Sequence, residues 1–212
     1  MAGEYPWIAG VVGWVDLRSF DVEQQLDRFR HQPKLVGIRH IVHDEPDERW
    51  LLASDVVHGL SVLARSELTY DLLVRPQHLR SVTQLALRLP DLRMVVDHLA
   101  KPLINRGELE PWRTDLANVA RHPNIYCKLS GMITEADHQR WRVEDIFPYI
   151  DTVLELFGPQ RLMFGSDWPM CQLAGDYSEV LAATHQALTG LTAGEREMIF
   201  GRTAVNFYRV AI

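Results

Sequence analysis

The sequence predicts an α/β fold, a parallel sheet with helices packed outside it, on three observations. Strand-like and helix-like segments alternate along the chain, with no internal repeat, low-complexity tract or linker between them. The strand candidates start roughly 23 to 36 residues apart, the length of a strand plus a crossover helix. With 212 residues, 47% of them hydrophobic, the chain has the apolar mass for one core and reads as a single domain over 1–212.

Short apolar runs at 8–15, 35–40, 70–74, 93–98, 125–129 and 161–164 end in polar or turn residues, the pattern of strands buried on both faces. Between them, Val22, Leu26 and Phe29 form one helical stripe, and Leu79, Val82, Leu85, Ala86 and Leu89 form another. Pro111 suits the first position of a helix carrying Leu116, Val119 and Ala120. Ile146, Ile150, Val153, Leu154 and Phe157 make a further stripe, stopped by Gly158-Pro159. The stretch 177–190 reads as helix, and Thr192 with Glu195 matches a capping box opening a last helix toward Tyr208. Six strands result, where a closed (β/α)8 barrel has eight. The expected fold class is therefore a TIM-barrel-like (β/α) fold with six of eight units, an incomplete barrel. Either the sheet is open, or the chain lacks the units that would close it.

Composition narrows the function. A formal net charge of -6 and scattered arginines leave no basic footprint for nucleic acid. No apolar run approaches the ~20 residues of a membrane span and no charged-then-apolar leader opens the chain, so a cytoplasmic protein with no membrane partner is expected. Cys127 and Cys171 stand in no zinc-like spacing and read as reduced thiols. No H-x-H, H-E-x-x-H, G-x-G-x-x-G or Walker pattern occurs, so neither a paired-histidine metal motif nor a nucleotide cofactor is supported.

Chemistry is expected at one rim. Arg39-His40, Arg75, Asp97-His98 and Asp167 close strands, and Lys128 lies within one. Parallel strands share their C-terminal rim, so these groups converge on a pocket. The strand ending in Gly165-Ser166-Asp167-Trp168-Pro169 delivers a carboxylate to its mouth; the bland reading is an aspartate capping the next turn. Alternation puts His98 on the face of Val96 and Met94, turns Asp97 the other way, and sets Asp167 in phase with Gly165 and Met163. It lets only one of Arg39 and His40 point inward and does not choose between them. Lys128 is costly to bury unless paired or functional. Trp168 suits stacking on a ring-shaped substrate. His43 falls in an acidic loop, and the remaining histidines read as structural or exposed.

Several of these segments recur together in one known family. Gly10-Val-Val-Gly-Trp-Val-Asp-Leu17, Gly37-Ile-Arg-His40, Tyr70-Asp-Leu-Leu-Val-Arg-Pro76, Val95-Val-Asp-His-Leu-Ala-Lys-Pro102, Tyr126-Cys-Lys-Leu-Ser-Gly131 and Phe164-Gly-Ser-Asp-Trp-Pro169 resemble the amidohydrolase-related family, metal-dependent hydrolases of TIM-barrel fold. The resemblance points to the sugar-lactonase branch, which includes L-fuconolactonase and L-rhamnono-lactonase, and runs from about Tyr5 to Tyr208. It implies that the six strands are the third to eighth of a barrel, with the first two βα units and their H-x-H-type motif missing.

The implied reaction is hydrolysis of a small sugar-derived lactone. Asp167 would be the general base on the attacking water, His98 with Arg39 or His40 would polarise the carbonyl, and Arg75, Lys128 and Trp168 would bind substrate. A divalent metal, zinc or manganese, serves some members and not others. His98 and Asp167 are its candidate ligands here, and alone they would hold it weakly. Two rival readings remain: a metal-dependent decarboxylase-type member, and a barrel fragment that is inactive or active only when completed by another chain. Unpaired apolar edges at 11–15 and 162–164 suit association between copies.

Overall fold

The computed structural model of the chain describes residues 2–29 and 31–211. Six strands form one sheet: β1 (Val11–Gly13), β2 (Leu35–His40), β3 (Thr69–Leu72), β4 (Met94–Val96), β5 (Ile125–Leu129) and β6 (Leu162–Phe164). Their order in space is their order in sequence, every neighbouring pair is parallel, and β1 and β6 are the two edges. The sheet is that of an incomplete TIM-barrel-like fold, six units curled around a common inner face. Nine helices and short 3-10 turns connect the strands: α1 (Val22–Asp27), α2 (Ser54–Arg65), α3 (Leu79–Arg88), α4 (Trp112–Ala120), α5 (Met132–Glu135), α6 (Val143–Phe157), α7 (Tyr177–Ala187), α8 (Ala193–Glu197) and α9 (Thr203–Tyr208) among the described residues. None is long and apolar enough to cross a membrane among those residues.

Side-chain alternation divides the sheet into two faces. Ile38, Tyr70, Leu72, Met94, Val96, Ile125, Cys127, Leu129 and Leu162 face outward and join α2, α3, α4 and α6 in the main core. The inner face carries a smaller cluster, Val95 and Met163 beside Tyr126, closed by Phe207 and Tyr208 of α9. Arg93, just before β4, donates to Asn206 O at 3.3 Å, so α9 covers the inner face near the N-terminal ends of the strands. The C-terminal ends are left to the polar residues.

Several elements differ from the sequence expectation. The first strand is Val11–Gly13 rather than 8–15, and the fourth stops at Val96 rather than running to residue 98. Helix α2 carries no stripe singled out above. Its Gly59 weakens the helical pattern, and a Cβ there would sit 2.1 Å from Leu17 O. The last helix does not run unbroken, because a π-helical turn over Met198–Arg202 separates α8 from α9. The Thr192–Glu195 capping box forms as expected, and Pro111 caps α4 from just outside it.

Candidate active site

The C-terminal rim opens onto a cleft of about 490 Å³ whose polar lining is Arg39, His98, Lys128, Ser130, Ser166 and Asp167. Asp167 follows β6 by three residues and turns into the cleft with φ of 58°. One carboxylate oxygen, Oδ1, lies 3.4 Å from His98 Nε2, and the other lies 3.5 Å from Thr134 Oγ1. Gly165 makes the approach feasible: a Cβ there would stand 3.1 Å from Ser130 Cβ. Trp168, 64% exposed, lines the mouth beside Asp167.

His98 reaches the cleft by a route that strand alternation does not foresee. Asp97, expected to face away, is the residue that continues the inner face of Val95 and points at Lys128 and Arg39. Beyond it the backbone reverses hand: His98, Leu99, Ala100 and Lys101 have φ of 51°, 54°, 59° and 53°. That reversal swings the next side chain, His98, into the same cleft. Each left-handed L-residue costs about 1–2 kcal/mol, so the turn needs support. It has Lys101 N to His98 O at 2.7 Å, the Trp112 indole N–H to Leu99 O at 2.7 Å, and a Lys101–Glu135 ion pair at 2.6 Å. The ring is fixed by Ser130 Oγ, 2.8 Å from Nδ1. Gly131, itself at φ 66°, leaves room for it, since a Cβ there would meet His98 Cβ at 2.8 Å. Burial holds the imidazole below its ordinary pKa despite the opposing pull of Asp97 and Asp167, which favours its neutral form.

Beneath these two residues lies a layer of compensated charge. Lys128 bridges the fully buried carboxylates of Asp71 and Asp97. It donates a hydrogen bond to Asp71 and sits 2.7 Å from Asp97 Oδ1 as a charge contact without hydrogen-bond alignment. Arg39 Nη1 donates to Asp97 at 3.2 Å, and the Tyr208 hydroxyl donates to Asp71 at 2.8 Å. Two anions thus meet two cations. Burial pushes Asp71 up to about 6 even though Lys128 opposes the shift. For Asp97 burial acts the same way, but Lys128, then His98 and Arg39, outweigh it and hold the carboxyl below the ordinary range. Burial would lower Lys128, and the two carboxylates more than reverse that, holding it above the usual ammonium range.

Of the residues anticipated from sequence, Asp167, His98, Arg39, Lys128 and Trp168 line one cleft. His40 and Arg75 are not among its lining residues. The register resolves the Arg39–His40 ambiguity: Arg39 is level with inward Asp71 and His40 with outward Leu72. His40 stacks on Trp50 at 4.3 Å, places Nε2 2.6 Å from Glu45 Oε1 and accepts from the Trp14 indole. Arg75 is exposed, and its backbone N–H donates to His78 Nδ1 at 3.1 Å. Lys128 reaches the cleft with its ammonium already held by Asp71 and Asp97. Asp71, Ser130 and Tyr208 carry no motif that marks them in the sequence, although an aspartate inside an apolar strand is as costly to bury as the lysine that pairs with it.

The 3.4 Å between His98 Nε2 and Asp167 Oδ1 suits two donors about 2.0–2.2 Å from a shared divalent ion. Among the described residues, however, no group of three or more His, Cys, Asp or Glu is arranged around one point. Two donors are half of a tetrahedral set, so these residues alone do not form a complete metal centre.

Residues 1–210 match the family model described as Amidohydrolase. The chain belongs to the amidohydrolase family. An L-fucono-1,5-lactonase from Burkholderia ambifaria is 38% identical to it over 216 aligned residues, covering 99% of this amidohydrolase and 73% of the relative. A second L-fucono-1,5-lactonase, from Burkholderia multivorans, is 39% identical over 95% of this chain and 71% of its own. Among solved structures, a Burkholderia multivorans amidohydrolase with bound zinc superposes with a TM-score of 0.93 at 36% identity, covering 99% of this chain and 76% of that one.

Proposed function

We propose that this amidohydrolase hydrolyses a sugar-derived lactone of the L-fucono-1,5-lactone kind. The observation that carries the reading is the pairing of Asp167 with His98, 3.4 Å apart across the rim cleft. Relatives named for that reaction supply the substrate class.

In this reading Asp167 accepts a proton from water as the water oxygen bonds to the lactone carbonyl carbon. The carbonyl oxygen becomes an oxyanion, which takes hydrogen bonds from the His98 Nε2–H and the Arg39 guanidinium. Ser130 then donates its hydroxyl to His98 Nδ1, fixing that tautomer. Collapse breaks the ring C–O bond, and Asp167 returns its proton to the leaving alkoxide. The product is an open-chain hydroxy acid. Trp168 offers an apolar face to the sugar ring. Lys128 lines the cleft and supports Asp97 and the placement of Arg39. Zinc or manganese, where bound, would supply Lewis acidity beside His98 and Asp167 and would need donors beyond those two.

The test is acid release followed by pH-stat, with L-fucono-1,5-lactone beside a simple lactone that carries no hydroxyls. Turnover of the sugar lactone well above that of the simple one is expected. Equal rates, or no release from either, would remove the proposal.

A further inference from the structure

The four left-handed residues that follow β4 set where His98 points, and none of them is a glycine. Such a turn persists only where its surroundings over-determine it. One of its supports, the Lys101–Glu135 pair, keeps some contact with solvent at both ends. Another, Ser130, belongs to the cleft itself. A further support lies wholly outside the cleft and is fully buried: the Trp112 indole N–H on Leu99 O. Trp112 opens α4, is 2% exposed, and packs its ring against Tyr149 with centroids 5.3 Å apart. A turn of ordinary hand would aim the Leu99 carbonyl elsewhere. It would strand both that oxygen and the indole N–H in the core, where unpaired polar groups are costly. The hand of the turn and the indole hydrogen bond therefore depend on each other.

We infer that Trp112 is a positioning residue: its hydrogen bond to Leu99 keeps residues 98–101 left-handed and so holds His98 against Asp167. The inference rests on the reading of His98 as a group that touches substrate. It adds a residue in the outer helix layer that meets neither the substrate nor the reacting atoms. Trp112 acts only through the backbone between them.

Trp112→Phe keeps a ring in the pocket and removes the donor. The expected result is a fall in kcat on L-fucono-1,5-lactone of about tenfold or more, with KM within about twofold of the parent. Adding Ala100→Gly puts the residue that favours the left-handed region where one is needed, and should return kcat to within about threefold of the parent. A crystal structure of Trp112→Phe should show His98 Nε2 farther from Asp167 Oδ1 than 3.4 Å. Unchanged kcat with His98 in place would overturn the inference, as would a loss that Ala100→Gly fails to reverse. If Trp112→Phe does not fold alone, it is read in the Ala100→Gly background, where kcat within about threefold of the parent is expected and a larger loss would overturn the inference. If the parent chain hydrolyses no lactone, the functional reading fails, and the position of His98 in the variant crystal still decides the role of Trp112.

Discussion

Lys128 holds the polar layer in balance, because one ammonium serves two buried carboxylates. Lys128→Met would leave Asp71 and Asp97 with only Arg39 and a phenol, and loss of one partner of a buried pair costs about 3–5 kcal/mol. Urea unfolding should show a loss of that size at pH 7. Asp71 makes a pH prediction with a definite sign. Burial raises its pKa to about 6 in the folded chain from 3.8, so the folded state binds the proton more tightly than the unfolded one. The associated stability is fully present below the unfolded value and is lost as pH rises through about 6. Relative to Asp71→Asn, the parent chain should lose on the order of 2–3 kcal/mol between pH 4 and pH 8 in urea melts. A difference that is flat with pH would contradict this. The cost of a lysine inside an apolar strand was legible from the sequence. Its partners were not, because Asp71 and Asp97 meet it only through the register of β3, β4 and β5.

Among the elements, the strands were legible because apolar runs ending in charge mark a shared rim wherever the sheet is parallel. The turn after β4 was not. Strand alternation holds only while φ stays negative, and the sequence of residues 98–101 contains no glycine to announce a left-handed run. The required glycine is on the opposing segment, at Gly131, where it clears space for the histidine ring. Gly131→Ala should therefore lower kcat through displacement of His98, beyond the roughly 1 kcal/mol stability cost of a positive φ. Activity and thermal unfolding measured together separate the two effects. Helix α9 is the other element whose role depends on tertiary context. Phe207 reads as part of an ordinary terminal helix, yet it closes the inner face against Val95 and Met163. Phe207→Ala should cost about 3–5 kcal/mol in urea unfolding.

At the scale of the whole molecule, the sheet has two edges where a closed barrel has none. Trp7 and Trp14 flank β1 and are well exposed, as are Met170 and Leu173 after β6. Exposed apolar edges of this kind promote association. Sedimentation velocity should show concentration-dependent self-association that Trp7→Lys reduces. Six parallel units in sequence order could be counted from the alternation of strands and helices, whereas the hand and tilt that bring six rims to one cleft are properties of the curled sheet. The proposed role of Asp167, delivered to the rim by this sheet, is that of the base activating water on a sugar lactone. Its most direct test is the steady-state rate of Asp167→Asn on L-fucono-1,5-lactone, beside the parent and with the urea midpoint checked. A rate lower by about 10²–10⁴ at an unchanged midpoint is predicted, and a rate close to that of the parent would contradict that role.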